Sequence, residues 1–356
     1  MNTNGNGIRA VVLGATGYVG GELLRLISAH PELNFSGAVS ASRSGEKIAV
    51  TFPNLAASYG DQCFVGHDTW IDELEAGSKL ALFSAAPHGA SAALIANALR
   101  AAAKKDITVH VVDSSADFRY ANQLDYEVVY GTEHGAPDLL AEFQSGVPEH
   151  LAAAKTAHIG HPGCFATAVL LAAVPLIQSR LTDSEVFVTG ITGSTGSGRN
   201  PQPGTHHPER HSNLYAYKPL VHRHAPEITA LLEAATDRET RVHFVPHSGP
   251  FARGIHVTVQ AKATKRVSDE QIYDVFAKTY ANSPFVEIVA GTPRLKNVVA
   301  SNYCQLGVAT GEDTVVVMCV IDNLVKGAAG GAVQWMNRLW DLPETTGLTV
   351  AAPGWT

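Results

Sequence analysis

Cysteine is scarce in this chain, and its copies stand apart in sequence. Cys63, Cys164, Cys304 and Cys319 are four among 356 residues. No two have the spacing of a zinc ribbon or a dithiol redox pair, so no metal site is expected. Charge is sparse too. Asp, Glu, Lys and Arg make up 17% of the chain, and the formal net charge is −7. That balance gives no electrostatic footprint for nucleic acid. No apolar run reaches the roughly 20 residues a bilayer span requires, so no membrane partner is expected. The opening "MNTNGNGIRA" is short and polar, unlike a signal or transit peptide, and a cytoplasmic protein is expected. Internal repeats and low-complexity tracts are missing. What is present is 45% hydrophobic residues, enough for large cores. The length suggests about two domains, on a prior of roughly 100–200 residues each.

The first half alternates strands and helices. "IRAVVLGATGYVGGELLRLISAH" reads as strand, glycine turn and helix, with Leu23, Leu24 and Ile27 at helical spacing. "FSGAVSAS", "KLALFSAAPHGASAALIANALRAA" and "ITVHVVDSSADF" continue the pattern. Such alternation predicts a Rossmann-type, doubly wound parallel sheet. After Cys164 a helix runs from about Phe165 to Arg180. The strand-like runs "EVFVTGITGSTGSG", "TRVHFVPHSG", "RGIHVTVQAKAT" and "TVVVMCVI" then predict an α+β domain with a mostly antiparallel sheet. The expected division is 1–163 and 164–323, with a C-terminal helix over 324–356 returning to the first domain.

Three features carry chemistry. "GATGYVG" opens a helix directly after a strand, as a pyrophosphate cradle does, with glycines at 14, 17 and 20 in GxxGxxG spacing. At the end of the second strand, where an NAD binder tends to have an acid, stand Ser40, Ser42 and Arg43. Hydroxyls and an arginine suit a 2′-phosphate, so NADP(H) is expected. Cys164, in "HPGCFAT", stands where a helix begins. Unpaired N–H groups and the positive dipole end there lower a thiol's pKa. The other three cysteines read as small buried residues. A nucleotide fold with a reactive thiol points to acyl reduction through a thioester. His222 and His224, with Glu227 in the next turn, are the acid/base candidates. Arg119, Arg199 and Arg253 stand beside glycine or strand ends and suit anions. His206, His207 and His211 lie in a Pro-broken segment that reads as a solvated loop.

"GATGYVGGELLRLISAHPE", "PHG", "SADFRY", "PGCFAT", "GSTGSGR", "YAYKPLVHRHAPEI", "RGI" and "IDNLVKGAAGGAVQWMN…LPETTGL" follow in order over nearly the whole chain. Together they resemble the N-acetyl-γ-glutamyl-phosphate reductases, kin to aspartate-semialdehyde dehydrogenase. The resemblance implies NADPH-dependent reduction of an acyl phosphate to a semialdehyde, with phosphate released, in arginine biosynthesis. By motif position it implies Cys164 as nucleophile and His222 as base, with His224 as the alternative. It assigns Gly14, Thr16, Gly17, Tyr18, Val19, Pro87, Ser194, Gly196 and Asn323 to the cofactor. Arg119, Arg253, His224 and Glu227 fall to the substrate. A second domain that serves both substrate and dimerisation, and a homodimer or homotetramer, are also implied. Where many relatives read Asn-Pro-Gly-Cys-Tyr, this chain has His161 and Phe165 around the cysteine. Enzymes acting on aminoadipyl or aspartyl phosphates share most of these motifs and form the first alternative. A non-catalytic nucleotide-binding redox sensor is the second, and the "HRH" and "GSTGSGR" segments argue against it.

Overall fold

The computed structural model describes residues 7–67 and 70–355. The chain divides into two compact units. Unit 1 takes in the chain up to Gly146, with Ala153–His161 and Ala329–Thr349. Unit 2 comprises Val147–Ala152, Pro162–Ala328 and the residues from Val350 onward.

Unit 1 holds strands β1 (Ile8–Leu13), β2 (Leu33–Val39), β3 (Lys79–Ser84), β4 (Thr108–Asp113), β5 (Phe143–Ser145) and β6 (His158–Gly160). They form one parallel sheet in the order β2-β1-β3-β4-β6-β5. Its helices are α1 (Tyr18–Ser28), the short α2 (Ile48–Thr51) and α3 (Ala56–Tyr59), then α4 (Ser91–Ala103) and α5 (Gln123–Tyr130). Ala10–Leu13 and Leu80–Phe83 are buried without alternation, as in a sheet covered on both faces. Strand order reverses between β1 and β3, and ligands of such sheets bind at the carboxyl ends beside that reversal.

Unit 2 contains α6 (Cys164–Gln178), β7 (Thr182–Thr192), α7 (His207–Arg210), β8 (Tyr215–Ala216), α8 (His224–Thr236), β9 (Arg241–Ser248) and β10 (Ile255–Ala263). It continues with α9 (Asp269–Thr279), β11 (Val286–Ile288), β12 (Cys304–Thr310) and β13 (Thr314–Ile321). The sheet order is β11-β12-β13-β10-β7-β9-β8. It is antiparallel from β12 to β7 and between β9 and β8, and parallel at β11/β12 and β7/β9.

Helix α6 carries no charged residue, and everything from Phe165 to Ile177 is buried. A helix apolar all round belongs inside a core. Pro175 lies within it and offers no N–H to the carbonyl four residues back. The Tyr280 hydroxyl donates to that Leu171 carbonyl at 2.6 Å. A hydroxyl has one proton, so Tyr280 accepts from His150 Nε2 at 2.9 Å, which fixes the His150 tautomer.

The C-terminal helix is shorter than expected. A π-helical turn, Val325–Ala329, leads into α10 (Gly330–Leu339), which ends there rather than at 356. Pro343, four residues on, cannot continue a helix. Helix α10 belongs to unit 1, where Trp335 Nε1 donates to the Gly146 carbonyl at 2.9 Å. No helix among the described residues is long and apolar enough to cross a membrane.

Candidate active site

Unit 1 gathers the glycine turn, Ser40 and Pro87 at the carboxyl ends of β1, β2 and β3. Gly14 has φ +68°, and a Cβ there would lie 2.5 Å from the Ala86 backbone. Gly17 is the N-cap of α1, with Thr16 half-buried before it, Tyr18 exposed and Val19 half-buried after it. Gly20 lets the helix settle on Ala15, whose carbonyl oxygen a Cβ would meet at 2.5 Å. A tight turn, an open helix start and a close helix contact are what a dinucleotide pyrophosphate needs.

Ser40 is buried, and its Oγ lies 3.4 Å from Ser42 Oγ. Arg43 is exposed and holds both Glu46 carboxylate oxygens, at 2.7 and 2.9 Å. Pro87 is exposed in the loop after β3. Asp117, which the sequence reading passed over, steadies that loop. Its buried carboxylate accepts the N–H groups of Gly89 and Ala92 at 2.8 and 3.0 Å, capping α4 from a distance. The signal was an Asp inside the polar "SADFR" at a strand end. Arg119 is buried, and donates to the carbonyls of His161 at 3.1 Å and Ser114 at 3.3 Å. Its expected grip on substrate is in part a grip on backbone.

Unit 2 holds the thiol. Cys164 is the first residue of α6, after the N-cap Gly163, and is half-buried. The Gly163 N–H donates to Glu227 Oε1 at 2.7 Å. Glu227 was expected to contact substrate. It is only 1% exposed and braces the start of the cysteine helix from the first turn of α8. His224 stands three residues before Glu227, on the same face of α8. That face is the one turned to the start of α6.

His222 lies just before α8. Its ring packs edge-on to Phe165, Tyr217 and Phe244, and 4.7 Å from the His224 ring. Phe165 also meets His224, so both imidazoles flank the residue after the cysteine. Burial, then the charges of Lys218 and Arg223, push His222 down to about 4. The ring is therefore neutral near pH 7. His222 Nδ1 accepts the His224 N–H at 3.1 Å, so the ring proton sits on Nε2. Tyr217 was another omission. Burial and the neighbouring Cys164 raise its hydroxyl above the usual range, and only the aromatic spacing of "YAYKP" marked it.

Ser194 and Gly196 lie in a 3-10 turn, Ser194–Ser197, docked on the loop before β10. The Ser194 N–H donates to the Phe251 carbonyl at 2.9 Å. Asn323 ties the two together, donating to Thr195 Oγ1 at 3.0 Å and accepting the Gly254 N–H at 2.6 Å. Arg253 was expected to hold a substrate anion. It makes a two-point pair with the buried Asp322 carboxylate, at 3.0 and 3.1 Å. Arg199 is exposed.

The histidine-rich loop is partly ordered as α7. Arg210 fastens it, donating to Ser248 Oγ at 2.6 Å and to the Gly249 carbonyl. No group of His, Cys, Asp and Glu among the described residues could hold a metal ion. Cys304 and Cys319 are buried, with their sulfurs 3.5 Å apart on neighbouring strands, a closeness sequence spacing hid. Cys63 is half-buried rather than buried, its thiol facing the Asp61 carbonyl in an irregular segment.

Known proteins share this two-unit fold. Residues 9–151 match the family described as semialdehyde dehydrogenase, NAD binding domain, and 164–323 the one described as semialdehyde dehydrogenase, dimerisation domain. Aspartate semialdehyde dehydrogenase II of Vibrio cholerae, solved with ASA, shares the fold. The TM-score is 0.68 at 16% identity, over 94% of this chain and 98% of that one. The Candida albicans aspartate semialdehyde dehydrogenase, solved with NADP, has a TM-score of 0.63 at 16% identity, covering 94% and 98%. The chain is thus an oxidoreductase of the semialdehyde dehydrogenase class.

Its relatives narrow this further. The N-acetyl-γ-glutamyl-phosphate reductase of Pseudomonas paraeruginosa is 39% identical over 97% of this chain and 99% of its own. That of Methanopyrus kandleri is 39% identical over 95% and 96%. The chain belongs to the N-acetyl-γ-glutamyl-phosphate reductase family.

Proposed function

We propose that this enzyme reduces N-acetyl-γ-glutamyl phosphate to N-acetylglutamate semialdehyde with NADPH, releasing phosphate. The observation that carries the reading is the thiol at the first position of α6, with Glu227 on the preceding Gly163 N–H and two histidines against the following Phe165, in a chain 39% identical over 97% of its length to a reductase of that name.

The chemistry follows from those groups. His224 takes the Cys164 thiol proton. Its shared helix face with Glu227 supports this role over His222, whose Nδ1 lone pair already receives the His224 N–H. The thiolate attacks the acyl carbon. Free N–H groups at a helix start stabilise the oxyanion, an effect of about 2.7–4 kcal/mol per donor in known cases. The carbon–oxygen bond to phosphate breaks, and a thioester on Cys164 remains. Bound NADPH supplies the hydride that reduces the thioester carbon. The hemithioacetal oxyanion re-forms its carbonyl, expels the sulfur, and His224 returns the proton to it.

The turn at Gly14, Gly17 and Gly20 suits the cofactor's pyrophosphate, and Ser40, Ser42 and Arg43 suit a 2′-phosphate, which favours NADP over NAD. The Arg43–Glu46 pair is exposed on the arginine side and weak enough for a phosphate to replace it. A working thiol among four cysteines that form no disulfide suits the reducing cytoplasm. The match of 164–323 to a dimerisation domain supports a homodimer or a homotetramer.

The test is phosphate-dependent reduction of NADP by N-acetylglutamate semialdehyde, run beside the aminoadipyl and aspartyl semialdehydes. Cys164→Ser should lower turnover by at least about 10³-fold. Preference for another semialdehyde would shift the substrate; a fully active serine variant would remove the thioester.

A further inference from the structure

Unit 2 holds one device that the proposed reaction leaves unused. The π-helical turn Val325–Ala329 packs its Gly327 directly on the nucleophile. A Cβ at 327 would stand 2.8 Å from Cys164 Cβ and 3.1 Å from its Cα. Only glycine fits without moving the cysteine. Single π turns inside helical segments are uncommon and cluster at functional sites.

The turn is braced from both sides. Upstream, the Asp322 carboxylate accepts the N–H groups of Leu324 and Val325 at 2.8 and 2.9 Å, and its carbonyl accepts that of Gly327 at 2.9 Å. Asp322 is held in turn by Arg253 and by the Ala300 N–H. Beside Gly327, Lys326 turns into the core. Its Nζ lies 2.5 Å from Glu149 Oε1, and both side chains are only 1% exposed. The ammonium also sits 5.7 Å from the centre of the Phe285 ring. Next to Glu149, His150 bonds Tyr280, and Tyr280 fills the gap that Pro175 leaves in α6. The brace thus reaches α6 at Cys164 and again at Leu171.

A buried ion pair is a poor way to gain stability, because desolvating two charges costs about as much as their attraction returns. Its merit is geometric, since the pair tolerates one register. We propose that Gly327, locked by the Lys326–Glu149 pair, positions the Cys164 thiol for attack. These are positioning residues, and they act through the cysteine. The inference rests on Cys164 being the nucleophile and is independent of which acyl phosphate is reduced.

The test reads the thiol directly. Rates of Cys164 alkylation by iodoacetamide are followed against pH in the enzyme without substrate, and kcat and KM are measured separately. Gly327→Ala should move the alkylation profile and lower kcat on the order of 10²-fold, the effect of a displacement near 1 Å, with KM little changed. Lys326→Met alone strands a buried carboxylate and is expected to fold poorly. Lys326→Met with Glu149→Leu removes both charges, should fold, and should still show the altered profile. Wild-type profiles and wild-type kcat in Gly327→Ala and in the double variant would reduce the turn to core packing. A wrong acyl substrate would leave the alkylation results intact, so the two ideas fail separately.

Discussion

Four helices of this protein show two contrasting starts. Helix α5 starts on Asn122, whose side chain accepts the Asp125 N–H at 3.0 Å, and α9 on Ser268, which forms a capping box with Gln271. Helices α1 and α6 start on Gly17 and Gly163, which have no side chain to offer. Capped starts hold the fold; glycine starts leave N–H groups open, and in the proposed reaction these meet an anion, a pyrophosphate at α1 and an oxyanion at α6. Helix α4 lies between, capped remotely by Asp117 and so with its own first residues free of that duty.

The largest effect is expected at α6, where an acid/base group must serve the glycine start. His224→Asn should lower kcat by about 10²–10⁴-fold with KM little changed, since the side chain keeps its hydrogen bonds but cannot carry a proton. His222→Asn should cost less, because burial makes that ring a weak base and its Nδ1 is occupied. A larger loss at His222 in steady-state kinetics would return the base role to it.

At α1 a glycine start can be converted into a capped one. Gly17 has φ −75° and ψ 173°, open to any residue, and a Cβ there meets nothing closer than 3.9 Å. Gly17→Asp should therefore cap α1 and stabilise the protein by a few tenths of a kcal/mol. The same carboxylate stands where the pyrophosphate belongs, so NADP affinity should fall on the order of 10²-fold. Thermal unfolding and dinucleotide titration read the two effects apart. If NADP still binds normally, this glycine start is not the cradle.

A smaller effect is expected at the end of β2. Arg43→Ala should weaken NADP about tenfold and leave NAD nearly unchanged, the worth of one charge-assisted contact to phosphate. Equal weakening of both in parallel titrations would withdraw the NADP assignment.

The glycine starts were legible in sequence because they are local. "GATGYVG" and "HPGCFAT" each state strand end, turn and helix within a few residues. The parallel sheet was legible through its continuous apolar runs, although β5 and β6, three residues each, are too short to show periodicity. Partnerships across the chain were not legible. Glu149 meets Lys326 at a separation of 177 residues and Arg253 meets Asp322 at 69. Arg253 read as a free cation because nothing in "FARGI" announces an acid so far along the chain. The overlong C-terminal helix has a different cause. "DNLVKGAAGGAVQWMNRLW" holds no proline to interrupt a helix, and Pro343 beyond it is the first residue that marks the stop.

The smallest predicted effect falls on the other side of the comparison. Ser268 and Gln271 satisfy each other's backbone N–H groups, at 3.3 and 3.0 Å, on an exposed rim of unit 2. Ser268→Ala removes one acceptor and leaves the Gln271 N–H to water. Losing such a cap typically costs about 1 kcal/mol, within a range of roughly 0.5–2. Helix α9 packs on α6 through Ile272 and Phe276, both fully buried, so it should stay docked. The melting temperature should drop by a few degrees at most, with kcat, KM and the Cys164 alkylation profile unchanged. A kinetic change here would mean that capped starts also reach the thiol, and the division between fold-holding and anion-meeting helix starts would fail.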